Sequence, residues 1–111
     1  MSSNVISFQG LRPGQWVIFT HDKGEISKKL QGPFKVINRH DAMYNLCRCV
    51  LMNVEGEPVD YWPGTGILGG KILPWECNVE VLSHERIAKE LGEKMEEVQK
   101  KAFALSLELN K

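Results

Sequence analysis

Two hydrophobic periods divide the chain near residue 83. Before that point, short runs rich in β-branched and aromatic residues are separated by glycine, proline and polar clusters. Beyond it, apolar residues recur at helical spacing. In the first part, Pro13-Gly14 makes a turn and residues 15–20, with Trp16, Val17, Ile18 and Phe19, predict a first strand. The lysine-bearing stretch 21–31 predicts a long mobile loop, and residues 34–39 resume a strand after Gly32-Pro33. A short turn at 40–42 leads into one long bent strand over 43–54, and Glu55-Gly56-Glu57-Pro58 reverses the chain. Residues 59–62 add a short strand, 63–70 a pliable glycine-rich insertion, and 71–73 and 77–82 finish the sheet. Val5, Ile6 and Phe8 predict a short edge strand. Such spacing indicates a small antiparallel barrel or strongly bent sheet of about five strands.

The second part reads as a helix. Ser83 is placed to cap it, and Glu85 puts a negative charge in its first turn. Ile87, Leu91, Met95, Val98, Ala102, Leu105 and Leu109 form one stripe at steps of three or four. Unbroken to residue 110 it would reach about 40 Å, longer than a barrel of some eighty residues is wide. The helix therefore either breaks, with Gly92 as the one plausible place, or leans on another molecule.

Composition narrows the class. The 111 residues are 42% hydrophobic and 25% charged, as in one soluble globular domain, and no stretch approaches the roughly 18 apolar residues of a membrane span. Fourteen basic and fourteen acidic side chains cancel, which removes whole-molecule attraction to nucleic acid or anionic lipid. Locally the charges separate: seven basic and three acidic in 1–48, one and five in 49–82, six and six in 83–111. A basic half beside an acidic half suits a polar surface or self-association. The odd cysteine count (Cys47, Cys49, Cys77) and the absence of a basic start followed by an apolar run predict a reducing, cytoplasmic address. Cys47 and Cys49 stand two apart, whereas zinc sites favour Cys-x2-Cys, and the three histidines lie apart, so neither metal nor cofactor is expected.

Leu11-Arg12-Pro13-Gly14-Gln15-Trp16-Val17-Ile18-Phe19 and Leu30-Gln31-Gly32-Pro33-Phe34-Lys35-Val36-Ile37 resemble the opening of SH3-like barrels. The likeness runs over roughly residues 11–82 and is nearest to the C-terminal barrel of retroelement integrases. It implies a small barrel. It transfers no catalysis, since integrase chemistry resides in a different domain, and the 58–70 segment departs from the pattern. In the tail, Ala88, Gly92 and Val98 are spaced as in a DNA-reading helix-turn-helix, but Glu96 and Glu97 stand where phosphates need basic or hydroxyl donors.

Other chemistry fits poorly. Residues 64–71 fail as a phosphate loop, because Thr65 and Ile72 occupy positions that need glycine and a hydroxyl, and Pro74 blocks the helix that should follow. Glu55, Glu57 and Asp60 sit at an exposed turn, where carboxylates stay solvated. A Cys47–His40 pair has no accompanying oxyanion feature. What remains is aromatic: the Tyr61-Trp62 pair must place one ring on each face of a strand, and Trp16 with the lysines of the 21–31 loop adds to a candidate binding surface.

The expectation is an α+β, mainly β chain: an SH3-like antiparallel barrel domain over 1–82, then an amphipathic helix over 83–111 that packs on the barrel or on a second subunit. Its predicted role is a non-enzymatic binding or adaptor module working through protein–protein contacts. Binding residues are Trp16, Lys28, Lys29, Lys35, Tyr61 and Trp62; Leu91, Met95, Val98, Ala102, Leu105 and Leu109 form an interface suited to a homodimer. The alternative is a nucleic-acid-binding regulatory protein, carried on a phage or mobile element, that uses Lys28, Lys29, Lys35 and Arg39 of the basic half and predicts strongly salt-dependent affinity.

Overall fold

A computed structural model of the chain describes residues 5–6, 10–21, 28–41, 47–63, 65–73 and 77–109, with the backbone alone at 5, 6, 28, 29, 41 and 47. It is an α+β, mainly β fold: a curled antiparallel half-barrel followed by a C-terminal helical segment. The strands are β1 (Val5–Ile6), β2 (Trp16–Thr20), β3 (Phe34–Asp41), β4 (Cys47–Met52), β5 (Pro58–Trp62), β6 (Ile67–Leu68), β7 (Lys71–Ile72) and β8 (Asn78–Val81). The helices are α1 (Lys28–Gln31), α2 (His84–Leu91) and α3 (Met95–Leu109). Strand order is β1-β8-β2-β3-β4-β5-β6-β7. The meander from β2 to β7 thus curls until β8 returns beside β2, while among the described residues no ladder joins β7 to β1.

Both faces of the sheet are apolar, because each is covered. Inside the curl, Leu11, Val17, Phe19, Phe34, Val36, Cys49, Leu51, Tyr61, Leu68, Leu73 and Val79 form one buried cluster. The Phe19 ring meets Phe34 and Tyr61 edge-on, with centroids 5.8 and 4.9 Å away. Outside the curl, Trp16, Ile18, Ile37, Met52 and Leu82 join Ile87, Leu91, Val98 and Ala102 of the helices in a second cluster. The four consecutive buried residues 16–19 follow directly: in a strand of period two, the odd and even positions enter different cores. The same alternation puts Val36 inside and Ile37 under the helices, and a register shift between Val36 and Asn38 then sets Asn38 opposite Val50.

The tail begins as its sequence predicts. Ser83 caps α2 by accepting from the Arg86 N–H at 3.2 Å. Gly92 then adopts φ 53°, ψ −124°, and a 3-10 turn, Gly92–Lys94, leads into α3. This break lets two shorter helices follow a curved surface that a straight 40 Å rod would leave. Leu91, Val98 and Ala102, expected at a seam between two copies, are buried against the chain's own sheet at 6, 2 and 4% exposure. Met95 and Leu105 are half-buried there. Only Leu109, 39% exposed, leaves the stripe uncovered.

Several boundaries differ from expectation. Residues 28–31 are a helical turn rather than loop; His40 and Asp41 extend β3, paired with Arg48 and Cys47, rather than turning. The 63–70 insertion contains β6, which pairs with β5 and β7. The first part of the expected strand, 43–46, and Phe8, Gly64, Pro74 and Trp75 lie outside the described residues. No helix among the described residues is long and apolar enough to cross a membrane.

The sign of one substitution tests the break. A Cβ at Gly92 meets no atom within 4 Å, so only the backbone conformation opposes it. Gly92→Ala is expected to lower stability by about 1–2 kcal/mol in urea unfolding, because alanine is strained at this φ and ψ. A continuous helix would instead gain about 1 kcal/mol from the same change.

Candidate functional site

The outer face of β4 and β5 is only partly roofed. On β4 the residues facing out are Arg48, Val50 and Met52; on β5 they are Pro58, Asp60 and Trp62, with Val50 opposite Asp60 and Met52 opposite Pro58. Met52 is fully buried. Beyond it, a groove of about 710 Å³ opens between this face and the last turns of α3. Val50 and Pro58 form its floor, Ala104, Leu105 and Leu109 its helical wall, and Arg48, Asp60, Glu55, Lys101 and Glu108 its rim.

The β4–β5 turn shapes one end. Asn53 Oδ1 accepts from the N–H groups of Glu55 and Glu57 at 3.0 and 2.9 Å, and Gly56 supplies φ 87°. The aliphatic stem of Lys101 lies directly on Gly56, where any Cβ would collide with it. Lys101 Nζ then reaches the Glu55 carbonyl at 3.2 Å and the Glu97 carboxylate at 3.3 Å. The contact ties α3 to the turn at this end of the groove. At the other end Arg48 pairs with Asp60 at 2.8 Å and lies 6.0 Å from the centroid of the Trp62 ring. Trp62 is 37% exposed, whereas Tyr61 is buried in the inner core, so the adjacent rings do face opposite ways.

Of the remaining expected site residues, Trp16, Lys35 and Arg39 do not line this groove. Trp16 is 7% exposed beneath the helices, a core residue that offers no open ring. Lys35 lies 5.9 Å from the Trp16 centroid and donates to Gln99 Oε1 at 3.1 Å, and burial pushes its ammonium below the ordinary lysine value. Arg39 donates to the Leu11 carbonyl at 2.9 Å. Lys28 and Lys29 stand in α1, with side chains outside the described residues. Cys49 is buried, Cys77 is half-buried with its thiol pushed up by desolvation, and among the described residues no three His, Cys, Asp or Glu side chains gather as a metal site.

The structure adds residues that the sequence reading passed over. Val50 and Pro58 looked like ordinary strand residues, and Ala104 and Glu108 lay off the stripe; only the tertiary placement of the last turns of α3 beside β4 and β5 brings them together. Phe103 and Leu107, 68 and 54% exposed, also lie off the stripe on the outer side of α3.

Comparison with protein-family models, curated proteins and solved structures finds no match for this chain.

The environment of Lys35 yields a pH test. Lys35→Met keeps a stem over Trp16 and removes the charge. Between the lowered folded value and 10.5, the unfolded chain binds more protons at this position, so stability rises with pH there. Wild type is therefore expected to gain on the Lys35→Met variant as pH climbs through that window, while the Cys77 contribution cancels between them. Urea midpoints whose difference stays flat with pH would refute the assignment.

Proposed function

We propose that this chain is a non-enzymatic binding module that acts through protein–protein contact, taking a segment of a partner into the groove between α3 and the outer face of β4 and β5. The observation that carries this reading is the groove itself: an apolar floor and wall beside an exposed indole, at the one place where the helical stripe outlasts its cover. Clefts that combine apolar walls with a few placed polar groups favour ligand segments that bring apolar anchors. The nucleic-acid reading has less support, because Lys35 and Arg39 bond to the fold itself and the groove rim carries more carboxylates than cations.

Selection of displayed random peptides against the folded protein, followed by amide chemical-shift mapping, tests the proposal. Shifts are expected at Val50, Ala104, Leu105 and Leu109. Ala104→Gln, at an exposed helical position that suits either residue, should weaken selected peptides by about tenfold without altering the fold. Selected peptides that map elsewhere, or a selection that returns none, would overturn it.

A further inference from the structure

We infer that the segment taken by this groove is basic as well as apolar, with lysine or arginine residues flanking its apolar anchors. The inference rests on the protein-binding reading of the groove and adds the charge of the partner. It begins from the pairing of the charges around the groove. A second hollow of about 460 Å³, lined by Gly32, Pro33, Phe34, Asn53, Val54, Glu55 and Glu57, adjoins the first and shares Glu55 with it. The two hollows together are lined by four carboxylates, Glu55, Glu57, Asp60 and Glu108, and by two cations, Arg48 and Lys101.

Both cations are engaged. Arg48 is held by Asp60, and Lys101 by Glu97 and the Glu55 carbonyl. Glu57 accepts from the Asn53 side-chain amide at 3.2 Å, a neutral donor. Among the described residues no cation lies at ion-pair distance from Glu55, Glu57 or Glu108. Among the described residues, the surface therefore carries more carboxylates than it pairs with cations around an apolar floor. At the far end Trp62 adds a ring whose face attracts cations, and it already holds one in Arg48. An acidic partner would meet repulsion on the turn side and the helix side alike. A basic one completes the pairing, with the apolar floor supplying affinity and the rim selecting charge.

Three synthetic amphipathic peptides of about four helical turns test this, sharing one leucine stripe and carrying lysine, glutamine or glutamate at every polar position. In fluorescence anisotropy at about 50 mM salt, the lysine peptide is expected to bind roughly tenfold tighter than the glutamine peptide, and the gap should close at about 500 mM. The paired reversal Glu55→Lys and Glu108→Lys, at exposed positions, should shift the preference to the glutamate peptide. Lysine and glutamine peptides that bind alike, with groove shifts lost in Ala104→Gln, would overturn the charge inference and leave the binding module standing. Failure of all three peptides to shift the groove residues would overturn both. A lysine peptide indifferent to Ala104→Gln would mark surface adhesion and overturn the inference. So would light scattering that shows a stable dimer from which the peptide is excluded, since a second copy would then fill the groove.

Discussion

The fold depends on burying a sheet that is apolar on both faces. A curled sheet encloses one face unaided, and Phe19, packed against Phe34 and Tyr61, fills that interior. The other face carries Trp16, Ile18, Ile37 and Met52, which water would expose at roughly 1.5–3 kcal/mol for each large side chain. Residues 84–109 supply the missing layer. They are the second half of the core rather than an appendage, and the sheet and helices stabilise one another.

That constraint explains the bend. A curved outer face can be followed by two helices set at an angle, but not by one straight rod. Gly92 reaches a backbone conformation that other residues adopt only under strain, so the turn costs little there. Ile87 and Leu91 anchor the first segment, Val98 and Ala102 the second. Arg86 adds an ion pair to Glu80 of β8 at 3.2 Å, on an exposed surface where such contacts orient more than they stabilise.

Much of this was legible from local chemistry. Turn residues and β-branched runs located β2, β5 and the β4–β5 reversal; Ser83 and the stripe located the start and course of the helical tail, and Gly92 marked the one place where it could break. Alternation put the Tyr61 and Trp62 rings on opposite faces, and the curl of the sheet decides that Tyr61 is the one inside. What escaped was nonlocal. The helix length read from residue spacing assumes a straight axis, so the stripe left open whether the barrel or a second copy covers it, and the break at Gly92 lets the helices meet their own sheet. Trp16 looked like a candidate contact because a strand buried on both faces has the same composition as one with an exposed aromatic edge. The extension of β3 through His40 and Asp41 comes from pairing with Arg48 and Cys47, a partnership that turn-prone residues conceal.

The groove is a consequence of the same geometry. α3 packs on β3 and joins the cluster that holds Met52, and its last turns stand beside the outer face of β4 and β5 with the groove between them. The Lys101 stem on Gly56 ties α3 to the β4–β5 turn at one end of the opening, and Leu109 lines it as well. Leu105 and Leu109 continue a stripe whose earlier members are spent on the core: Leu105 still packs against that core at its edge, and Leu109 keeps the apolar character beyond it. No separate insertion is needed to form the cleft. Residues chosen for packing along α3 become, in its last turns, the wall of an open surface, and the charges of the β4–β5 turn become its rim.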